Sequence, residues 1–281
     1  MDRRKRILPR GWYPFDEKDC KREMESYLEG WSPSQLPSNK GEGGIIPHAG
    51  WYFSGKLATR VFYSLKLKNK AEVVVLYGGH LSTEDVPRIV TEEACETPLG
   101  DIEIHAGFVK NLMKSMELRK ESPTSGDNTI EIQLTMVKYF FPEAKLVGIR
   151  SPLSPKAEIL GKEVAEIAKK EGISILAIGS TDLTHYGPNY GFLSKGVGPA
   201  SVEWVKKEND KGFIDRALRM DAEGLLKHAL ENDSACSAGA AVSALATCKA
   251  LGSEKGVLLD YYTSYDIMPD DSFVGYAGIL Y

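Results

Sequence analysis

Short apolar runs that end in polar, glycine-rich turns punctuate this chain. Ile45-Ile46 runs into Pro47-His48-Ala49-Gly50, and Val73-Val74-Val75-Leu76-Tyr77 into Gly78-Gly79-His80. Leu176-Ala177-Ile178 leads to Gly179-Ser180-Thr181-Asp182-Leu183-Thr184-His185-Tyr186-Gly187. A fourth turn, Asp233-Ser234-Ala235-Cys236-Ser237-Ala238-Gly239, opens a stretch of small residues. An apolar run closed by Gly or Pro reads as a buried strand whose C-terminal end opens into a loop.

Between these runs the apolar spacing is helical. Helices are expected over 18–28, 54–67, 106–116, 129–139, 154–170, 201–219, 222–230 and 235–251, the last ending at Gly252. Strands are expected over 44–46, 73–77, 145–150, 173–178, 256–263 and 274–281, and a loop over 31–41. A hairpin of 88–91 with 101–105 is expected around the turn Thr97-Pro98-Leu99-Gly100. Strands alternating with helices of 10–17 residues predict an α/β fold, with a mixed, mainly parallel central sheet flanked by helices. No repeat or linker divides residues 1–281, so one domain is expected.

Composition narrows the partners. The chain has 281 residues, 42% apolar and 26% charged, with a formal net charge of −4. No global basic field recommends nucleic acid. Met1-Asp2-Arg3-Arg4-Lys5-Arg6 is basic, but no apolar segment follows it as in a signal peptide. No apolar stretch reaches bilayer length. A cytoplasmic protein without membrane or nucleic-acid partners is expected. Four cysteines, with no CxxC pair, make neither a disulfide framework nor a zinc ribbon.

The turns concentrate the chemistry. Of five histidines, His48, His80 and His185 lie in them. In open α/β sheets, ligand sites are built from loops at the C-terminal strand ends. His48, His80 and Cys236 converging there would offer nitrogen and sulfur donors to a soft or borderline metal. Asp233 or Ser234 is a candidate N-cap for the following helix, whose N-terminus would favour a Cys236 thiolate. The bland alternative is a small residue packed among alanines. His105 and His228 are assigned to structure or solvent.

These residues resemble motifs of the Memo family. Pro47-His48-Ala49-Gly50-Trp51-Tyr52-Phe53-Ser54-Gly55 is similar to its first motif and Ser180–Gly187 to its third. Ser125 through Ile130-Glu131-Ile132-Gln133-Leu134, Ala235-Cys236 and Val274-Gly275-Tyr276-Ala277-Gly278 also fit, in order, over nearly the whole chain. The resemblance implies a fold similar to class III extradiol dioxygenases, which are non-haem iron enzymes. It implies His48, His80 and Cys236 as metal ligands, with Asp182 and His185 lining the same pocket. It also implies copper or iron as the metal and a radical-SAM protein as a candidate partner; the soft thiolate donor adds zinc as a further candidate. For eukaryotic members, copper-dependent redox chemistry and phosphotyrosine-peptide binding have both been proposed. Three positions depart from the family pattern. Asp127-Asn128-Thr129 stands where Glu-His-Ser is usual, Gly78-Gly79 precedes His80, and Ser237 follows Cys236 where Gly is usual.

The expectation is a metal-dependent oxidoreductase acting on a small molecule, with aromatic ones among the candidates. His185, with Asp182, would be the acid/base pair. Trp51, Tyr186, Asn128 and Glu131 would bind substrate. The alternative is a non-catalytic module that captures a peptide or small ligand in the same pocket. Trp51, Tyr52, Phe53 and Tyr186 would supply its stacking surface. A third reading makes Cys236 a hydrolytic nucleophile with His185 as base.

Overall fold

The computed structural model describes residues 2–34, 36–37 and 41–281, so the loop expected over 31–41 lies partly outside the described residues. In chain order the strands are β1 (Arg3–Arg4), β2 (Gly43–Ile46), β3 (Val73–Leu81), β4 (Arg88–Ile89), β5 (Ala94–Cys95), β6 (Ile102–Glu103), β7 (Arg119–Lys120), β8 (Lys145–Pro152), β9 (Ile175–Ser180), β10 (His185–Tyr186), β11 (Val257–Thr263) and β12 (Phe273–Leu280). The helices are α1 (Glu17–Leu28), α2 (Trp51–Lys66), α3 (Ala106–Ser115), α4 (Glu131–Phe140), α5 (Lys156–Glu171), α6 (Pro199–Trp204), α7 (Asp210–Leu218), α8 (Ala222–Asn232), α9 (Ala238–Ala250) and α10 (Ser264–Ile267).

The main sheet runs β10-β12-β2-β9-β3-β8-β4-β7, with β11 also on β12. Its centre, β2-β9-β3-β8, is parallel throughout. β12 joins β2 antiparallel on one side, and β4 joins β8 antiparallel on the other. The sheet is therefore mixed, with a parallel centre whose C-terminal ends share one edge. The central strands are near-continuous apolar runs because both faces are covered. On one face α9 packs across β2, β3, β8 and β9, with α5 and α8 outside it. On the other, α2 packs against β2, β12 and α4.

The turn read at 97–100 is present, and Thr97 Oγ1 donates to Gly100 O. Its flanking strands differ from the expected pair. β5 pairs with β6, while β4 leaves to cap the main sheet beside β8. Two-residue strands carry too little alternation to assign partners from sequence. The helix expected over 201–219 is α6 and α7 joined by a π-turn, Val205–Asn209.

α9 is apolar all round, which fits a helix surrounded by protein. Its hydroxyls find buried partners. Ser243 donates to Ala157 O, and Thr247 bonds Gly161 O and the Tyr77 hydroxyl. At Gly239 a Cβ would lie 2.2 Å from Pro152 O. Glycine there lets the start of α9 come down onto the end of β8.

Candidate metal centre

Three strand ends and one helix start meet at the C-terminal edge of the parallel strands. β2 delivers His48 and β3 delivers His80. The loop after β9 delivers Asp182, and the turn before α9 delivers Cys236. One donor atom each from His48, His80 and Cys236 lies within 4.8 Å of the others. Cys236 Sγ is 3.2 Å from His48 Nε2. The His48 and His80 rings meet edge to face, with centroids 5.1 Å apart.

Each donor is aimed by its neighbours. His48 Nδ1 lies 3.3 Å from Ser180 Oγ, which leaves Nε2 toward Cys236. The His48 turn is pinned by Asp182, whose Oδ1 accepts from His48 N at 2.7 Å and Ala49 N at 3.3 Å. Asn128 Nδ2 donates to His48 O, and Gln133 Nε2 to Pro47 O.

His80 sits in an irregular end of β3, where the register against β8 shifts between Gly78 and Leu81. Its φ is +58°, in the left-handed region. Bulges of this kind re-aim a side chain. Arg150 holds the conformation from behind, donating through Nε to Gly79 O and through Nη2 to His80 O. The same guanidinium pairs with Asp127 and Glu121. Asp127 Oδ2 in turn holds His80 Nδ1 at 2.9 Å, leaving Nε2 for the site. A carboxylate that fixes a histidine's tautomer and ring direction is a common support for a metal ligand.

Cys236 lies two residues before α9. The N-cap position belongs to Ser237, whose side chain makes no capping bond, and Asp233 instead closes α8 with φ +48°. Neither Asp233 nor Ser234 therefore caps this helix. Gly79 permits the close approach of the two segments, because a Cβ there would lie 2.1 Å from Ser237 Oγ.

The electrostatics follow from crowding a thiol against a buried imidazole, His48, and a partly exposed one, His80. Burial alone would push the Cys236 thiol up; the His48 and His80 imidazoles, with His185 further off, overcome this and hold it well below the ordinary thiol value. Burial likewise lowers His48, but the Cys236 thiolate and Asp182 carry it up to about 9. His80 rises to about 10, its burial outweighed by Asp127 and Cys236. Asp182 is raised by burial, against the pull of His48. The neighbouring imidazoles are what draw the thiol down.

His48 and His80 line the floor of a pocket of about 430 Å³ with Asn128, Asp182, His185 and Tyr190 around them, and Cys236 adjoins it through its contact with His48. His185 Nδ1 lies 3.1 Å from Leu183 O, and its ring stands edge-on to Tyr190. Asp182 directs its Oδ1 at the His48 turn, so the orienting partner of His185 is Leu183 O.

The structure does not bring the other three expected substrate residues to this pocket. Trp51 opens α2 and is buried against Tyr13, with its Nε1 on Ile132 O. Tyr186 is fully buried among Phe192, Trp204 and Phe273, and its hydroxyl bonds Gly196 O. Glu131 accepts from Ile7 N, Leu8 N and the Tyr13 hydroxyl. Tyr52 is exposed, and Phe53 lines the pocket. His105 caps α3, and His228 bonds Asn209 O, so both are structural. Arg150 and Glu121 are not legible in the sequence, because strand residues and remote carboxylates carry no local motif.

Among the described residues no helix is long and apolar enough to cross a membrane. The family model for Memo-like proteins matches residues 6–280. A MEMO1 family protein of Nitrosopumilus maritimus is 32% identical, covering 99% of each chain. One of Desulfurococcus amylolyticus is 31% identical over 89% of this chain and 86% of its own. A third, from Methanopyrus kandleri, is 28% identical over 96% and 95%. With the match spanning nearly every element that builds the pocket, this chain belongs to the Memo family.

Proposed function

We propose that this protein is a metal-dependent oxidoreductase that acts on a small molecule bound over the His48, His80 and Cys236 cluster. The observation that carries the reading is the donor set itself: two oriented imidazoles and a cysteine sulfur within 4.8 Å of one another, close to the spacing one ion would draw together. Metal–nitrogen and metal–sulfur bonds of about 2.0–2.3 Å place donors roughly 3–4 Å apart. Three protein ligands leave positions open on the pocket side. A thiolate makes the set softer than two histidines with a carboxylate, which favours copper or zinc beside iron. A redox-active ion there would supply one-electron chemistry and Lewis acidity.

The chain's own residues supply the rest. His185 gives its Nδ1 hydrogen to Leu183 O, so Nε2 is the atom that takes a substrate proton. Asn128 and Asp182 hold the His48 turn still, and Tyr190 walls the mouth. The test is metal analysis of protein purified without oxygen, followed by oxygen-consumption assays with a panel of catechols. One equivalent of metal, lost in His48→Ala and Cys236→Ser, is expected. A metal-free protein that takes up no added ion overturns the reading.

The 3.2 Å contact of Cys236 Sγ with His48 Nε2 favours a second reading. Cys236 would be a covalent nucleophile with His48, rather than His185, as its base. Trapping of an acyl group on Cys236 by an activated ester, blocked by added metal, separates the two.

A further inference from the structure

Above its floor the pocket is walled by rings and carboxylates. Trp12, Phe53, Tyr190 and Tyr276 contribute aromatic surface, and Asp182 and Asp270 contribute charge. Among the described residues that line it there is no Lys or Arg. The Arg150 guanidinium lies behind His80, bonded to Asp127, Glu121 and two carbonyls. Asp270 sits at the exposed rim, where one carboxylate oxygen accepts from Ser272 N. Among the described residues no donor bonds its other oxygen, which leaves it to a ligand or to water. The field of both carboxylates reaches the wall: the Tyr190 phenol is raised by burial, then by Asp182 and Asp270.

We infer that this pocket selects small aromatic molecules that carry a positive charge, and discriminates against anionic ones. The inference rests on the proposed function for what happens at the floor, and adds the chemical class of the substrate. Ring walls stack a flat ligand, and they attract a cation through their faces. Asp270 receives the ammonium group at the rim. At the rim a phosphorylated or carboxylated ligand meets Asp270 and no Lys or Arg among the described lining residues, while the His48 and His80 imidazoles below are already paired with Cys236 and Asp127, so a phosphotyrosine side chain is disfavoured.

Three phenols of similar size test this by calorimetric titration of the purified protein: tyramine, p-cresol and 4-hydroxyphenylacetate, with free phosphotyrosine as a fourth probe. Tyramine should bind at least about tenfold more tightly than 4-hydroxyphenylacetate at low salt. That preference should shrink as salt screens the rim. Asp270→Asn should weaken tyramine about threefold or more and leave p-cresol unchanged. Tighter binding of phosphotyrosine or of the acid, equal binding of all probes, or no tyramine binding at millimolar concentration overturns the inference. So does an Asp270→Asn variant with the full preference intact.

Cobalt titration, read by the thiolate-to-metal absorption band, keeps the two readings apart. Cobalt binding without an ammonium preference leaves the metal function and removes the substrate class. The preference without cobalt binding does the reverse.

Discussion

Arg150 is the residue on which the His80 arm depends. It bonds the two carbonyls that flank the bulge and steadies the carboxylate that orients the ring. Support of this kind typically contributes 10–100-fold in metal affinity. Arg150→Met or Asp127→Ala should therefore lower affinity by about that factor in a competition titration, with the three donors intact. A change below about twofold would show that His80 orients without them. Cys236 makes a second case. Burial pushes Cys20 and Cys95 up to about 12, and Cys248 well above the ordinary thiol value. Cys236 alone is held down, and thiolate character governs oxidation. Mild peroxide should modify Cys236 first, and bound metal should protect it. Peptide mass mapping with Cys95 or Cys248 labelled first would refute this. His48, His80 and Cys236 were legible because the strand-end turns announce them. Arg150 was not, because a buried arginine at the end of a strand has no neighbours in sequence that reveal its role.

At the scale of elements, the loop after β9 is held by a device that helical spacing hides. Between α6 and α7 the π-turn shifts the helix by one residue and turns Asn209 and Asp210 inward. Asn209 Nδ2 donates to Thr184 Oγ1, and Asp210 accepts from both Thr184 N and Thr184 Oγ1. β12 completes the clamp through Leu183 N to Gly275 O and Gly275 N to Thr184 O. A periodic reading sees one helix here because apolar spacing of 3.6 tolerates a single extra residue. Asp210 also accepts from the Tyr261 hydroxyl. Burial raises it to about 6, against the lowering bonds from Thr184 and Tyr261 and the charge of His185. Between the ordinary carboxyl value and pH 6 the folded chain keeps a proton that the unfolded chain releases. The stability from this group is therefore full below about pH 4 and is lost as pH rises toward 6. A rise of this size corresponds to about 3 kcal/mol at most. Asp210→Asn should flatten the stability profile between pH 4 and 6 and gain relative stability above it. Urea unfolding at pH 4, 5, 6 and 7 measures this; a profile as steep as the parent's would contradict it.

Across the whole molecule, the residues beyond the sheet serve to close it. The segment from Arg3 to Leu8 pairs with β5 and lies on Glu131, which binds two of its backbone amides and the Tyr13 hydroxyl. Glu131 thus belongs to the strap and not to the pocket. Glu131→Ala should release this segment and speed tryptic cleavage at Arg3, Arg4, Lys5 and Arg6 severalfold, with little change in metal affinity. Unchanged proteolysis would show that β1 alone secures it. The α/β class and the parallel centre were legible from the alternation of runs. The short edge strands were not, because two-residue pairings such as β4 with β7 depend on what the larger sheet leaves exposed.

His48 and Cys236 touch across 188 positions of chain. Between them lie β3, β8 and β9, so no local segment can bring the two together early. Contacts of such separation form late, after the loop entropy has been met by the rest of the core. An ion held by the proposed donor set would therefore not nucleate this fold, as it does in small zinc modules where binding and folding are one event. The polypeptide would first fold through its apolar interior, and any metal would be captured afterward, on a finished surface. On the proposed function, metal supply would then set how much of the protein is loaded, while leaving the amount that folds almost untouched.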